Sequence, residues 1–280
     1  MTIDLSTIGK KGDPGERSWT SFDSLLYSIG VGAGLDNPLE ELEFTTENSD
    51  GITQRALPSL IGVLGAGRGP GFGDINFAML LHAEQAFELH KPLPVAGKLR
   101  AQGEIAEIWD KGSGALVVTK TEYTDLADNT PLATIRGSVF IRGEGGFGGP
   151  KQPAEEWELP TGKPDHEVTY ITRPEQALLY RLSGDRNPLH VDPKFAARGG
   201  FDRPILHGMC TYGFTGRALL HTAAGGDPDK FRSMSGRFTK SVWPGDTLTI
   251  SVWVDGDTAR FQTRTQDGTV VIDRGVMKTR

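Results

Sequence analysis

Between Tyr180 and Pro193 the chain reads Tyr-Arg-Leu-Ser-Gly-Asp-Arg-Asn-Pro-Leu-His-Val-Asp-Pro. Asp185 and His190 are two ionisable groups on either side of Pro188, with Gly184 in front. Gly184 suits the C-terminal cap of a helix. Pro188 is expected to keep helix from resuming and to hold Asn187 extended. Such a rigid turn can aim both side chains at one small object, such as a water molecule. The carboxylate can take a proton, and the imidazole can give one or orient the donor. Downstream, Pro204-Ile205-Leu206-His207-Gly208-Met209 enters a long helical pattern. The first N–H groups of a helix have no partner within it and form an anion or carbonyl site. Gly208 has no side chain to obstruct that approach. A base, an acid and an oxyanion donor are the parts needed to add water to a polarised double bond.

Blander readings exist for the same residues. On spacing alone, an Asp and a His five apart are more often a capped loop. Asp185, His190 and Asp192 are also metal-ligand types, but a second His is missing unless His207 swings in, so no metal is expected. His207 reads as a structural donor at a helix start, and Cys210 as a buried, inert thiol.

The elements that must hold this loop follow from periodicity. Met209, Tyr212, Gly213, Gly216, Leu219 and Leu220 form one helical stripe that stops before Gly225-Gly226. The two glycines on that stripe would allow a sheet to come close. A shorter helix precedes it, with Pro174 in its first turn and Gly184 as its cap. Strands are expected where apolar residues alternate: around Val117 to Tyr123, Leu248 to Val254, Phe261 to Thr265 and Val270 to Met277. Helices followed by antiparallel strands make an α+β fold more consistent than a parallel one.

Residues 143–165 are dominated by Gly and Pro and keep neither period, so they read as a linker between halves 1–142 and 166–280. The halves resemble each other. Leu25-Leu26-Tyr27 opens one and Leu178-Leu179-Tyr180 the other, and each later has a Pro/Gly break, at 92–97 and at 243–246. A repeat of about 150 residues is too long for a solenoid unit and reads as a duplicated domain.

With 280 residues the chain can bury a large core. No stretch reaches the ~20 apolar residues of a membrane span, and the opening MTIDLSTIGKKGDPGE lacks an apolar signal core. One Cys excludes a disulfide framework, and a net charge of -6 argues against a nucleic-acid partner.

Ser183-Gly184-Asp185-x-Asn187-Pro188-Leu189-His190-x-Asp192-Pro193, followed by Pro204-Ile205-Leu206-His207-Gly208, resembles the signature of the MaoC-like, (R)-specific enoyl-CoA hydratases, or hydratase 2. The two-half arrangement is similar to the hydratase part of the peroxisomal multifunctional enzyme type 2 and its bacterial stand-alone relatives. In the first half the likeness includes Tyr27-Ser28-Ile29-Gly30, Leu81-His82-Ala83-Glu84-Gln85 and Asp110-Lys111-Gly112-Ser113-Gly114. The resemblance implies a double hot-dog fold, each half wrapping an antiparallel sheet around a helix. It implies chemistry in the second half and an acyl tunnel shaped by the first. When the Leu-Leu-Tyr triplets are superposed, Asp185 falls opposite Gly32 and His190 opposite Asn37, neither able to do acid–base work.

By the same resemblance, Asp185 and His190 hold and activate water, and Gly208 N–H binds the thioester carbonyl. Asn187 orients the loop or the ligand, and His82, Ala83 and Phe238 contact the thioester. Lys111 meets a coenzyme A phosphate, and Glu47 falls in a segment similar to the family's Phe-x-x-Glu. Two departures stand out: Ala83 where the family has Gly, and Ser59 where it has Thr. The implied enzyme is a cytoplasmic homodimeric hydro-lyase. It needs no cofactor, coenzyme A entering only as part of the acyl-CoA substrate. A hot-dog thioesterase and a non-catalytic acyl-CoA-binding subunit are the alternatives.

Overall fold

The computed structural model describes residues 2–67, 69–75, 79–154 and 156–280; Met1, Arg68, Asn76, Phe77, Ala78 and Glu155, which fall within the stretches read above, lie outside the described residues. In chain order the strands are β1 (Thr2–Ile3), β2 (Gly15–Trp19), β3 (Gly73–Asp74), β4 (Leu80–Leu89), β5 (Gly97–Asp110) and β6 (Gly114–Asp125). They continue with β7 (Thr130–Arg142), β8 (His166–Ile171), β9 (Phe231–Phe238), β10 (Thr247–Asp255), β11 (Thr258–Thr265) and β12 (Val270–Thr279). The helices are α1 (Ser21–Gly30), α2 (Leu42–Thr45), α3 (Gln176–Tyr180), α4 (Pro193–Arg198) and α5 (Gly208–Thr222). Among the described residues no helix is long and apolar enough to cross a membrane.

Ten strands form one sheet in the order β2-β5-β6-β7-β4-β9-β12-β11-β10-β8, every neighbouring pair antiparallel. Read inward from either edge, the halves repeat the same order of connection, as a duplication requires. They meet where β4 pairs with β9, Glu84 opposite Arg237 and Glu88 opposite Ser233. Across this seam Arg237 Nε donates to Glu84 Oε1 at 2.8 Å, and Arg232 pairs with Glu88 at 2.9 Å. The alternating segments lie in β6, β10, β11 and β12 as their period demands.

Helix α5 departs from the reading of a single apolar stripe. Every residue from Cys210 to Leu220 is buried, because the sheet covers one side and the first half the other. The glycines chiefly serve that second contact. A Cβ on Gly213 would stand 2.4 Å from Val31 Cγ1, and one on Gly216 would stand 3.4 Å from the Ser59 side chain. They admit the end of α1 and the segment Pro58–Val63 against the helix. That segment, a 3-10 stretch opened by Pro58, occupies the place between α1 and β4 that α5 takes between α3 and β9. The first hot-dog therefore wraps a much shorter helix than the second.

The helix before the loop is also shorter than expected. α3 begins at Gln176, with Pro174 in the preceding turn rather than in the helix. Gln176 Nε2 donates to Gly30 O at 2.7 Å, tying α3 to the end of α1. Residues 143–165 hold no helix or strand among those described. They are nonetheless anchored: Asp110 accepts Gly146 N–H at 2.8 Å and Gly148 N–H at 2.9 Å.

Candidate active site

The segment after α3 tightens into a 3-10 turn, Arg181–Ser183, and ends at Gly184 with φ 135°, a conformation that favours glycine. Asp185 therefore starts a loop, as its neighbours predict. Pro188 does not keep helix away. It is the first residue of a new 3-10 turn, Pro188–His190, where a missing N–H costs nothing. Asn187 is extended, as expected, and its side chain caps that turn by accepting Leu189 N–H at 3.0 Å. Asp192 caps α4, accepting Lys194 N–H at 2.8 Å and Phe195 N–H at 3.3 Å. Both faces of the loop are thus fixed by local hydrogen bonds, and Asp192 is engaged in structure rather than in the site.

His190 is 9% exposed, and its Nδ1 lies 2.9 Å from Ile205 O. A carbonyl can only accept, so Nδ1 carries the hydrogen and Nε2 is left as a bare acceptor. Burial is the main cause that pushes the His190 pKa below its ordinary 6.5. His207, 1% exposed, stacks on it with ring centres 3.7 Å apart and planes 28° apart. His207 Nε2 faces Asp185 O at 3.3 Å and so donates to it, holding the backbone of the loop that starts at Asp185. Burial and then the His190 neighbour push the His207 pKa down to about 4. Both imidazoles are neutral near pH 7.

Ligand atoms of Asp185, His190 and His207 lie within 4.8 Å of one another. His207 does join the set that sequence spacing left incomplete. The arrangement suits a metal poorly, however. Ligands to one ion converge on a point, whereas stacked rings run their in-plane lone pairs nearly side by side.

Asp185, Asn187, His190 and Gly208 line one cavity of about 380 Å³ at the seam between the halves. Gly208 is the first residue of α5, and by helix geometry its N–H has no partner within the helix. A Cβ there would stand 3.4 Å from the Phe238 ring, so glycine keeps clear the space between this N–H and Phe238. Phe238, at the end of β9, packs on His82 of β4 with ring centres 4.8 Å apart. Both rings line the cavity, one from each half. Ala83 is the extra residue of a bulge between His82 and Glu84, where the β4–β7 register shifts. A bulge of this kind re-aims a strand beside a site. Burial also holds the His82 pKa below 6.5.

Lys111 does not reach the cavity wall. It sits in the β5–β6 turn, with Nζ 3.1 Å from Gln152 Oε1. Two cations that the sequence reading missed do line the cavity, Arg142 and Lys240. Arg142 ends β7 beside the start of β4, and its buried Nε has no protein partner among the described residues. No motif marks either residue; the register of β7 on β4 brings Arg142 to the cavity, and Lys240 follows the end of β9 into it. Glu47 is exposed and lines none of the cavities described here. A larger groove of about 480 Å³, lined by Arg136, Trp157 and Arg237, contains none of the residues assigned a site role from sequence, although Glu84 and Gln85 of the first-half motif line it.

The positions opposite Asp185 and His190 in the first half have become structural. Beside Asn37 lies a cavity of about 240 Å³ built around Glu41 and Arg217. Arg217, 3% exposed, pairs with Glu41 at 2.9 Å, donates to Val31 O at 2.9 Å and sits 3.9 Å over the Tyr170 ring.

A sequence profile described as the MaoC like domain matches residues 157–275, and one described as the MFE-2 hydratase 2 N-terminal domain matches residues 18–143. The chain is 45% identical to 3-hydroxyacyl-thioester dehydratase Y of Mycobacterium tuberculosis, over 99% of each chain. The chain belongs to the MaoC-like hydratase 2 family. Within that family it is 41% identical to Enoyl-CoA hydratase ChsH3 of M. tuberculosis, over 97% of each. It is also 40% identical to the mouse peroxisomal multifunctional enzyme type 2, covering 96% of this chain and 37% of that one. Among solved structures, a MaoC-like dehydratase from Phytophthora capsici superposes with a TM-score of 0.88 at 31% identity, over 99% and 98% of the two chains. As a MaoC-like hydratase 2, the chain has the double hot-dog fold of a hydro-lyase.

Proposed function

We propose that this hydratase 2 adds water across trans-2-enoyl-CoA to give (3R)-3-hydroxyacyl-CoA, reversibly, in fatty-acyl metabolism. The observation that carries the reading is one cavity holding three groups: the Asp185 carboxylate, the bare Nε2 of His190 and the unpartnered end of α5 at Gly208. The water O–H bond breaks toward Asp185, its oxygen bonds to C3, and the proton so taken is relayed through the bare Nε2 of His190 to C2, which restores the carboxylate and the neutral imidazole. The negative charge built up on the thioester oxygen meets Gly208 N–H. Asn187 keeps the loop in place, and His82, Ala83 and Phe238 flank the thioester. Lys111 takes a phosphate of coenzyme A from outside the cavity, where Arg142 and Lys240 add positive charge. These steps need no metal or redox cofactor.

On this reading residues 1–142 bind the acyl part, 166–280 do the chemistry, and 143–165 link them. A cytoplasmic homodimer belongs to the same proposal and rests on the family resemblance. The test is loss of enone-thioester absorbance on adding the enzyme, with chiral analysis of the product. An (S)-product overturns the stereochemical assignment. Release of free thiol without hydration favours a thioesterase, and no turnover favours a binding subunit.

A further inference from the structure

A second chamber of about 240 Å³ lies beyond Asp185. Gly62, Val63 and Gly65 wall it from the first half, Tyr180 and Met209 from the second. It shares two residues with the cavity of the active site, Asp185 and Met209. One is the carboxylate at which C3 reacts, so Met209 is the apolar partition between the two spaces.

Met209 follows Gly208 on α5, and its methyl Cε reaches to within 2.8 Å of where a Cβ on Gly62 would stand. The side chain spans from the helix start to the 3-10 stretch of the first half, filling the gap that Gly62 leaves. Methionine is unbranched with three rotatable bonds, so it can swing aside without moving the backbone. Val63, Met209 and the Tyr180 ring give the chamber an apolar wall for hydrocarbon. Arg17 also lines it, and its Nη1 donates to the carbonyls of Val63 and Gly65 at 2.9 and 3.5 Å, so these polar groups satisfy one another.

We propose that the acyl chain beyond C3 passes Met209 into this second chamber, and that the Met209–Gly62 contact sets the chain length accepted. This rests on the hydration reading, which puts C3 at Asp185 and the thioester at Gly208. The experiment compares kcat/KM for trans-2-dodecenoyl-CoA with that for crotonyl-CoA. Met209→Ala opens the partition, whereas Gly62→Ala pushes a methyl against Met209 and narrows it. Each methylene admitted or excluded is worth about fourfold. The long-to-short ratio is expected to rise about tenfold or more in Met209→Ala and to fall by a similar factor in Gly62→Ala. Met209→Leu, which keeps the bulk but loses the reach, is expected to fall between wild type and Met209→Ala, and it serves if the alanine variant does not fold. General damage to the fold lowers both substrates together and leaves the ratio alone. An unmoved ratio, or one moving the same way in the opening and narrowing variants, overturns the gate. Wild-type turnover of crotonyl-CoA separates that failure from failure of the hydration reading.

Discussion

His190→Asn separates the chemistry of the site from its architecture. An asparagine amide can place a donor near the position of Nδ1, so the bond to Ile205 O can survive. What disappears is the ring nitrogen facing the cavity. Loss of one positioned acid–base group costs about 10²–10⁴ in rate, or roughly 3–5 kcal/mol of barrier. The variant should show that drop in kcat for crotonyl-CoA hydration. KM should stay within about threefold, because Gly208, His82 and Phe238, the groups proposed to hold the thioester, are untouched. Stability should fall little: the stack on His207 is lost, but the loop keeps its caps at Asn187 and Asp192. A loss of about 1 kcal/mol would lower Tm by roughly 2–4 °C. Asp185→Asn should lose a comparable factor in kcat. With the two side chains serving one water, as proposed, the double variant should be little worse than the poorer single one. The assay is stopped-flow loss of enone absorbance at saturating substrate, with a melting curve of each variant. Near-wild-type kcat in His190→Asn, or losses that multiply in the double variant, would refute a shared water held by this pair.

Three further outcomes follow from the same geometry. His207 titrates near 4 in the folded chain against an ordinary 6.5; as pH falls from about 6.5 to 4 only the unfolded chain takes up that proton, so up to about 3 kcal/mol of stability is lost across that window. His207→Gln should flatten this limb of Tm against pH, and an unchanged limb would count against the assignment. Lys111→Ala should raise KM for crotonyl-CoA about 3- to 30-fold with kcat intact, since a phosphate contact far from C2 and C3 binds ground and transition states alike; a thioester lacking the nucleotide should not distinguish the variant, and a fall in kcat would make Lys111 structural. Glu41→Gln leaves the Arg217 guanidinium buried without its carboxylate, which should cost about 3–5 kcal/mol in denaturant unfolding while the folded enzyme keeps its kcat; a loss under 1 kcal/mol would mean that Tyr170 and Val31 O suffice.

Local signals were enough to place the loop, the long helix and the four strands β6, β10, β11 and β12 of the ten in the sheet. Gly184 before Asp185, Pro188 within the turn and the period-2 runs of β10 and β11 act over a few residues, and short-range sterics decide them. The motif from Ser183 to Pro193 likewise carries Asp185 and His190, the pair proposed to act on water, in one stretch of chain. What lay beyond the sequence depends on which surfaces meet. The α5 stripe could not show that its far side is also buried, because Gly213 faces Val31 and Tyr27 from the other half. Nor could spacing show that His207, set apart by α4, stacks on His190, or that strand register carries Arg142 to the cavity while Lys111 stays outside it. Identity and local conformation are written along the chain. Proximity between distant segments is set by packing of the two halves, whose balance of contacts no short window contains.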